Sequence, residues 1–351
     1  MQGSATDIRS RALGYPGGIS KLQHRAIIAG VVLLALVGII LILLDWPETR
    51  GAVSQAKWPP ILAALGIIAV SYLCQSLSFS MINRVFGIGM AQRALLIVGF
   101  LSSAMIAAVG GVAGHSLRLL LMARRGVPAG QALAPSLFHG YLESVLFFAL
   151  IPASLSYLVL TYPLSPGLTV GFAAGAAVLG AAFAMAAVVF FAAPVRGIAL
   201  RLIGFVWRTA TRRDMGPALQ RFETSLRQGL AEIRSRWWAL VPPVALIFAD
   251  RAARIAVVWL CFESLGGQVD PAVLITGFAV GVVVGVMSMV PGGMGVQEAT
   301  MAGTYHLLGV PLEQAVLVAL LFRLVYYMVP FGVSLVFYWY ALREGRLMQA
   351  R

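Results

Sequence analysis

Charge is scarce in this sequence. Asp, Glu, Lys and Arg together make up 11% of the 351 residues, against 60% hydrophobic ones. No soluble domain can hide that much apolar surface, so a water-soluble enzyme or binding module is excluded and a polytopic helical membrane protein remains. Cysteine is rarer still. Cys74 and Cys261 each stand inside an apolar run, which argues against a disulfide framework or a thiolate metal site. Acidic residues number 13 against 26 basic ones, and nearly all of the excess is arginine. In a membrane chain such an excess sets topology and touches anionic lipid head groups; nucleic acid is not its partner. The sequence also lacks a Walker A lysine loop, a Cys-x-x-Cys pair and a His-Glu-x-x-His motif. Neither metal nor cofactor is therefore expected, and the chain does not read as an enzyme. An integral-membrane transferase built on His139, Glu143 and Asp250 would need a donor site that the sequence does not offer.

What is present is apolar length. A spanning helix needs about 20 predominantly apolar residues. Six runs qualify: 26–44, 60–82, 131–160, 167–193, 238–262 and 312–341. The first follows a 25-residue basic arm and runs into Asp45-Trp46-Pro47 without a small-residue cleavage site, so it reads as a retained signal anchor. Two further runs, 94–113 and 272–291, are interrupted by glycines and end in Gly-Gly. These are expected to be re-entrant hairpins or broken helices, which membranes tolerate only where the backbone is buried in protein or lines a cavity.

Arginine placement tests this count. With the N-terminus cytoplasmic (Arg9, Arg11, Lys21, Arg25), the inside segments carry Arg84, Arg93, Arg118, Arg124 and Arg125, the stretch 196–236, and Arg343, Arg346 and Arg351. The outside segments carry Asp45, Glu48, Glu263, Asp270 and Glu313, with Arg50 and Lys57 as their cations. Full crossing by each hairpin would move the 118–125 arginines outside, so the asymmetry favours re-entrance. The expected organisation is a cytoplasmic basic arm (1–25), one transmembrane domain (26–341) and a cytoplasmic tail (342–351). Within the domain, 197–236 alternates arginines with Leu202, Phe205, Trp207, Leu219, Phe222, Leu226 and Ile233. It reads as an amphipathic connector on the cytoplasmic leaflet, and equally as a solvated link between two halves.

Those halves resemble each other. Leu96-Ile97-Val98-Gly99-Phe100 leads to Gly110-Gly111 and then Gly126-Val127-Pro128. Leu274-Ile275-Thr276-Gly277-Phe278 leads to Gly292-Gly293 and then Gly309-Val310-Pro311. Each unit, about 60–160 and about 240–341, reads as a span, a broken hairpin, a loop and a long span. One extra span lies between them, so the second unit enters the membrane from the opposite face. This inverted repeat is the plan of many transporters, whose sites lie at the repeat interface. Symmetry left by gene duplication alone is the other reading.

Ionisable side chains inside spans are costly and are functional candidates for that reason. His139 and Glu143 share a helix face at i,i+4, as a proton-sensitive or head-group-binding pair or as a local hydrogen bond. Asp250 and Arg254, also four apart, read as a structural pair. Arg251 points about 100° away from them and lacks that partner; such an arginine facing a cavity suits phosphate oxygens. Arg323 and Gly140 each stand 12 residues past the proline of Gly-Val-Pro. Glu143, one turn from Gly140, is thus a possible partner for Arg323. Glu298 follows the second Gly-Gly as a helix N-terminal carboxylate, suited to capping. The helix after Gly110-Gly111 offers backbone N–H groups to an anion, with Arg118 close by.

Pro291-Gly292-Gly293-Met294-Gly295-Val296-Gln297-Glu298 resembles the Pro-Gly-Gly-x-Gly-x-x-Glu signature of the lysylphosphatidylglycerol synthase transmembrane-region family. Gly110-Gly111 with Leu117-Arg118 and Arg124-Arg125-Gly126-Val127 is similar to that family's other element, and Arg323 to the arginine of its last long helix. The resemblance spans roughly 60–341. It implies a lipid flippase, since the membrane region of multidomain members moves an aminoacylated phospholipid to the outer leaflet. Stand-alone members belong to polyprenyl-glycolipid or hopanoid contexts. The C-terminal soluble aminoacyl-transferase domain is missing here, so lysyl transfer is not expected. Relatives often carry an acidic residue after the first Gly-Gly and an arginine in the following helix; this chain has His115 and Gly140.

The function expected is flippase-like translocation of a phosphate-containing lipid across a bacterial inner membrane, both termini cytoplasmic. The head group would bind Arg118, His139, Glu143, Arg251, Glu298 and Arg323 between walls made by Gly110, Gly111, Gly292 and Gly293. A small polar solute as cargo, or a non-transporting scaffold for a lipid-modifying enzyme, are the alternatives.

Overall fold

In the computed structural model, α1 (Trp58–Val85) and α8 (Val241–Ser264) lie antiparallel at the centre. The Lys57 N–H donates to the Ser264 carbonyl at 2.8 Å at one end, and the Ser78 hydroxyl to the Pro243 carbonyl at 3.0 Å towards the other. The structure describes residues 56–148, 165–211, 214–288 and 290–343. The expected arm, the 26–44 anchor, the end of the 131–160 span and most of the tail fall outside them. All described residues belong to one unit, and they form helices with no strand among them.

After α1 come α2 (Gln92–Val109), α3 (Gly111–Ala123) and α4 (Ala129–Phe148). Then α5 (Pro166–Phe191), α6 (Ala193–Thr211) and α7 (Gly216–Ser235) lead through a short 3₁₀ turn to α8. The chain continues with α9 (Pro271–Met287), a 3₁₀ turn at Pro291–Gly293, α10 (Val296–Leu307) and α11 (Leu312–Phe322). A stretch of π-helix, Arg323–Met328, carries α11 into α12 (Val329–Arg343). Local chemistry sets these ends. Proline opens α1, α8 and α9 within the first turn, where no N–H is missed. Asp270 caps α9 by accepting from the Ala272 N–H at 2.8 Å.

Each glycine-interrupted run forms the first arm of a helical hairpin. A Cβ on Gly277, Gly281 or Gly285 of α9 would collide with Tyr305, Met301 or Gln297 of α10 respectively. Glycine every fourth residue thus makes a flat stripe against which the returning helix packs antiparallel. The first hairpin closes likewise. A Cβ on Gly114 of α3 would overlap Ile106 and the Ser102 carbonyl of α2.

Among the described residues three helices are long and apolar enough to cross a membrane: Trp58–Val85, Gln92–Val109 and Leu312–Tyr338. A fourth counts if Gly180–Phe191 and Ala193–Thr211, bent by 98°, form one broken span. The count expected from sequence was six; of those runs, 26–44 and the end of 131–160 lie outside the described residues, and the remaining differences have physical causes. Expected as part of a re-entrant hairpin, α2 holds 18 unbroken helical residues, because its glycine at 99 packs against Ser76 without breaking it. The break comes at Gly110. In α8, Asp250, Arg251 and Arg254 place three ionisable side chains at the middle of the helix, so it is not apolar along a membrane-spanning length.

The connector 197–236 is two helices with different surroundings. α7 packs on protein: Phe222 and Leu226 join Ile82, Phe86, Ala134 and Phe138 in a buried cluster. α6 instead exposes Ile198, Leu202, Phe205, Val206 and Trp207. A bidentate pair joins the two helices, with Arg196 Nε at 2.6 Å and Nη2 at 2.9 Å from the Glu223 carboxylate.

Candidate functional site

The two Gly-Gly turns meet. A Cβ on Gly110 would lie 3.2 Å from the Gly292 nitrogen, and one on Gly292 would collide with the Ala108 carbonyl. Gly110 has φ +117°, and Gly292 and Gly293 have φ +63° and +62°. Only glycine adopts these angles freely while letting one backbone touch another. The four glycines named from sequence therefore converge at one point between the halves.

Arg323 fastens the second turn. Its Nη2 donates to the Gly292 carbonyl at 2.8 Å, its Nη1 lies 3.0 Å from Glu298 Oε1, and its guanidinium covers the Tyr327 ring at 4.5 Å. Glu298 Oε2 accepts from the Gly295 N–H at 2.7 Å, closing the N-terminus of α10. Glu298 thus caps the helix with one oxygen and pairs Arg323 with the other. The Glu143–Arg323 pair considered from sequence is not what forms. Glu298 is nearer because the second hairpin folds its own tip back onto the π-helical stretch.

Glu143 belongs to a separate charge cluster. His139 Nδ1 is 3.6 Å from its carboxylate and Arg251 Nη2 is 4.0 Å away. Arg251 also donates to the Glu143 backbone carbonyl at 3.3 Å, and its Nη1 lies 3.3 Å from Asp250. The isolated arginine expected at 251 therefore bridges two carboxylates. Asp250 and Arg254 form their expected pair at 3.1 Å, but Asp250 does more than neutralise it. It accepts from Ser71 at 2.5 Å, Gln75 at 3.2 Å and Tyr326 at 3.3 Å. One fully buried carboxylate thereby joins α1, α8 and the π-helical stretch.

Although Glu143 is within electrostatic range of it, Arg118 forms no ion pair with either group among the described residues. It is wholly buried, donates from Nε to Ser102 Oγ at 3.0 Å and lies over the Phe79 ring at 4.2 Å. Neither Nη1 nor Nη2 has a hydrogen-bond partner among the described residues. The His139 ring meets the same Phe79 edge-on at 5.7 Å. Among the described residues no three His, Cys, Asp or Glu side chains converge where they could hold a metal ion.

Residues 27–334 match the family described as the lysylphosphatidylglycerol synthase TM region. The chain belongs to that family. No curated protein matches its sequence. Lysylphosphatidylglycerol synthase TM regions are membrane domains associated with lipid modification or translocation, and this one is a multi-pass membrane protein. Its Pro-Gly-Gly-x-Gly-x-x-Glu element is the tip that Arg323 holds. Sequence reasoning passed over Ser71, Gln75, Ser102, Gln297, Tyr326 and Tyr327. A signal existed for two of them: Ser71 and Gln75 stand at i,i+4 in a spanning run that also carries Ser76, Ser78 and Ser80, an unusual density of polar side chains for such a helix.

Proposed function

We propose that this protein translocates a phosphate-containing lipid (a phospholipid, an aminoacyl-phospholipid or a polyprenyl-linked lipid) between leaflets, without enzymatic chemistry of its own. One observation carries the reading: two glycine tips from the two halves of the chain touch beside the buried Arg323–Glu298 pair, and a separate buried pair, Arg251–Glu143, joins the same two halves. A head group that crosses a bilayer needs such a polar path, because an unpaired charge in hydrocarbon is prohibitive. The acyl chains need none and stay in the lipid.

The two halves act as an inverted repeat. What supports this is the antiparallel pairing of α1 with α8, the opening helices of the two units, together with the meeting of the tips. Opening and closing of the tip contact as the halves rock gives alternating access. The exposed apolar face of α6, with Arg201 and Arg208 also exposed, rests on an anionic leaflet.

The test is reconstitution of the full chain into phosphatidylcholine vesicles with fluorescently labelled phosphatidylglycerol or polyprenyl phosphate. Dithionite should bleach more than the outer-leaflet share of label, and protein-free vesicles should not show this. If no head group moves, the reading falls. Uptake of a small polar solute without lipid movement would replace it with the solute transporter.

A further inference from the structure

The two halves share their spacing but not their chemistry at one place. Glu298 and His115 each stand 13 residues before the proline of Gly-Val-Pro, and Arg323 and Gly140 each 12 residues after it. In the second half this pair is an ion pair at 3.0 Å. In the first half the same positions also face each other: a Cβ on Gly140 would lie 3.6 Å from His115 Cε1 and 3.8 Å from its Nε2. The place is kept, yet neither the carboxylate nor the guanidinium is there.

Beside it lies the buried guanidinium whose Nη groups are unmatched. Arg118 spends Nε on Ser102 and one face on Phe79, which leaves four N–H donors on Nη1 and Nη2 without a partner among the described residues. The aromatic face eases the charge but accepts no conventional hydrogen bond. His115 Nδ1 and both ring nitrogens of His139 are likewise buried without a hydrogen-bond partner. Glu143 is within electrostatic range of Arg118, His115 and His139, but it also faces Arg251. Asp250 is saturated by its own donors. Among the described residues of this belt, Arg118, Arg251 and Arg254 are set against Glu143 and Asp250, three positive charges to two negative ones. Burying a guanidinium and its donors is strongly unfavourable without a counter-ion.

We propose that Arg118, with His115 and His139, forms an anion subsite that takes the phosphate of the head group, in the first half only. A planar fork with two unengaged nitrogens matches two phosphate oxygens, and neutral imidazole adds an N–H from one nitrogen of each ring. In the second half the same position is closed by the Glu298–Arg323 pair, so the two halves are not equivalent for the ligand. That the anion arrives on a lipid rests on the translocation reading above; that it binds here does not.

The experiment is calorimetric titration of the full-length protein in detergent. The probes are dihexanoylphosphatidic acid, inorganic phosphate and, as the phosphate-free control, dihexanoylglycerol. Dihexanoylphosphatidic acid should bind and dihexanoylglycerol should not. Arg118→Gln should weaken binding roughly 30-fold or more, as expected for a buried charged contact. Arg118→Lys, which keeps the charge and loses the fork, should also weaken it and serves if the glutamine variant fails to fold. The double variant H115E/G140R rebuilds in the first half the pair found in the second. It should abolish binding while leaving the unfolding temperature unchanged or raised. Arg234→Gln, on the exposed face of α7, should bind like wild type.

Absence of binding by both phosphate probes overturns the subsite, as does wild-type affinity in all three site variants. Arg118-dependent binding of inorganic phosphate alone upholds the subsite and removes the lipid. Phosphate binding without lipid movement in vesicles overturns the translocation reading and leaves the subsite. Lipid movement undiminished in Arg118→Gln does the reverse.

Discussion

The Arg323 guanidinium donates a 2.8 Å hydrogen bond to the carbonyl oxygen of Gly292, tying the π-helical stretch to the turn that touches the other half. The same side chain is paired with Glu298 and is almost wholly buried. Position, charge and backbone contact are thus joined in one residue.

Removing one partner of such a pair is worse than removing both, because the survivor is left charged and buried. Arg323→Ala should lower stability by about 3–5 kcal/mol. E298A/R323A together should lose less than the sum of the single variants. Thermal unfolding of the four proteins in detergent measures the coupling. Strict additivity would show that the 3.0 Å approach contributes nothing.

The contact between tips depends on two missing methyl groups. Gly292→Ala places a Cβ against the Ala108 carbonyl at φ +63°. Backbone on both sides cannot yield as a side chain would, so the strain should be about 1–3 kcal/mol. Gly110→Ala, 3.2 Å from the Gly292 nitrogen at φ +117°, should strain the contact from the other side. Both variants should slow lipid movement more than Gly303→Ala, where a Cβ meets nothing. Equal rates in the three would separate the tips from transport.

Much of this was legible in the sequence, and what was not has definable causes. Gly110, Gly111, Gly292 and Gly293 stood out because a doublet ending an apolar run has few structural uses, and the doublets do converge. Asp250 and Arg254 pair because i,i+4 geometry is local. Arg251 was misjudged because its second carboxylate, Glu143, is 108 residues away. Arg323 was given the wrong partner for the opposite reason. Symmetry suggested a contact between the long helices, while the fold-back of the second hairpin supplied a nearer carboxylate. Hydropathy and charge conflict in α8, where Asp250, Arg251 and Arg254 interrupt an apolar helix while Asp250 binds it to α1 at the centre.

Asp250 is the most connected buried carboxylate among the described residues, with Ser71, Gln75, Tyr326, Arg251 and Arg254 around it. Asp250→Ala should cost about 3–5 kcal/mol, since two arginines lose a buried counter-charge at once. Asp250→Asn keeps the shape and should be milder, while still weakening both arginine contacts. Hydrogen exchange should rise in α1 and in the 323–328 stretch together. A rise confined to α8 would mean that Asp250 does not join the three elements.

α6 leaves aromatic and basic side chains uncovered together. Phe205 and Trp207 are exposed on the same helix as Arg201 and Arg208, and the 98° bend directs it away from α5. Buried Arg196, at its first turn, holds it to α7 through two short bonds to Glu223. Arg196→Lys keeps the charge but cannot make the bidentate pair, so α6 should exchange faster while α7, anchored by Phe222 and Leu226, should not. A leaflet covering α6 predicts a second effect. With Trp238 and the other tryptophans replaced by phenylalanine, Trp207 fluorescence should be quenched by brominated acyl chains. In anionic vesicles quenching should fall as salt rises in the wild type, whereas R201Q/R208Q, which must rely on apolar burial alone, should be quenched less at low salt and respond little to added salt. Fluorescence at Trp207 unaffected by brominated lipid would place α6 in water and leave its apolar face to another partner.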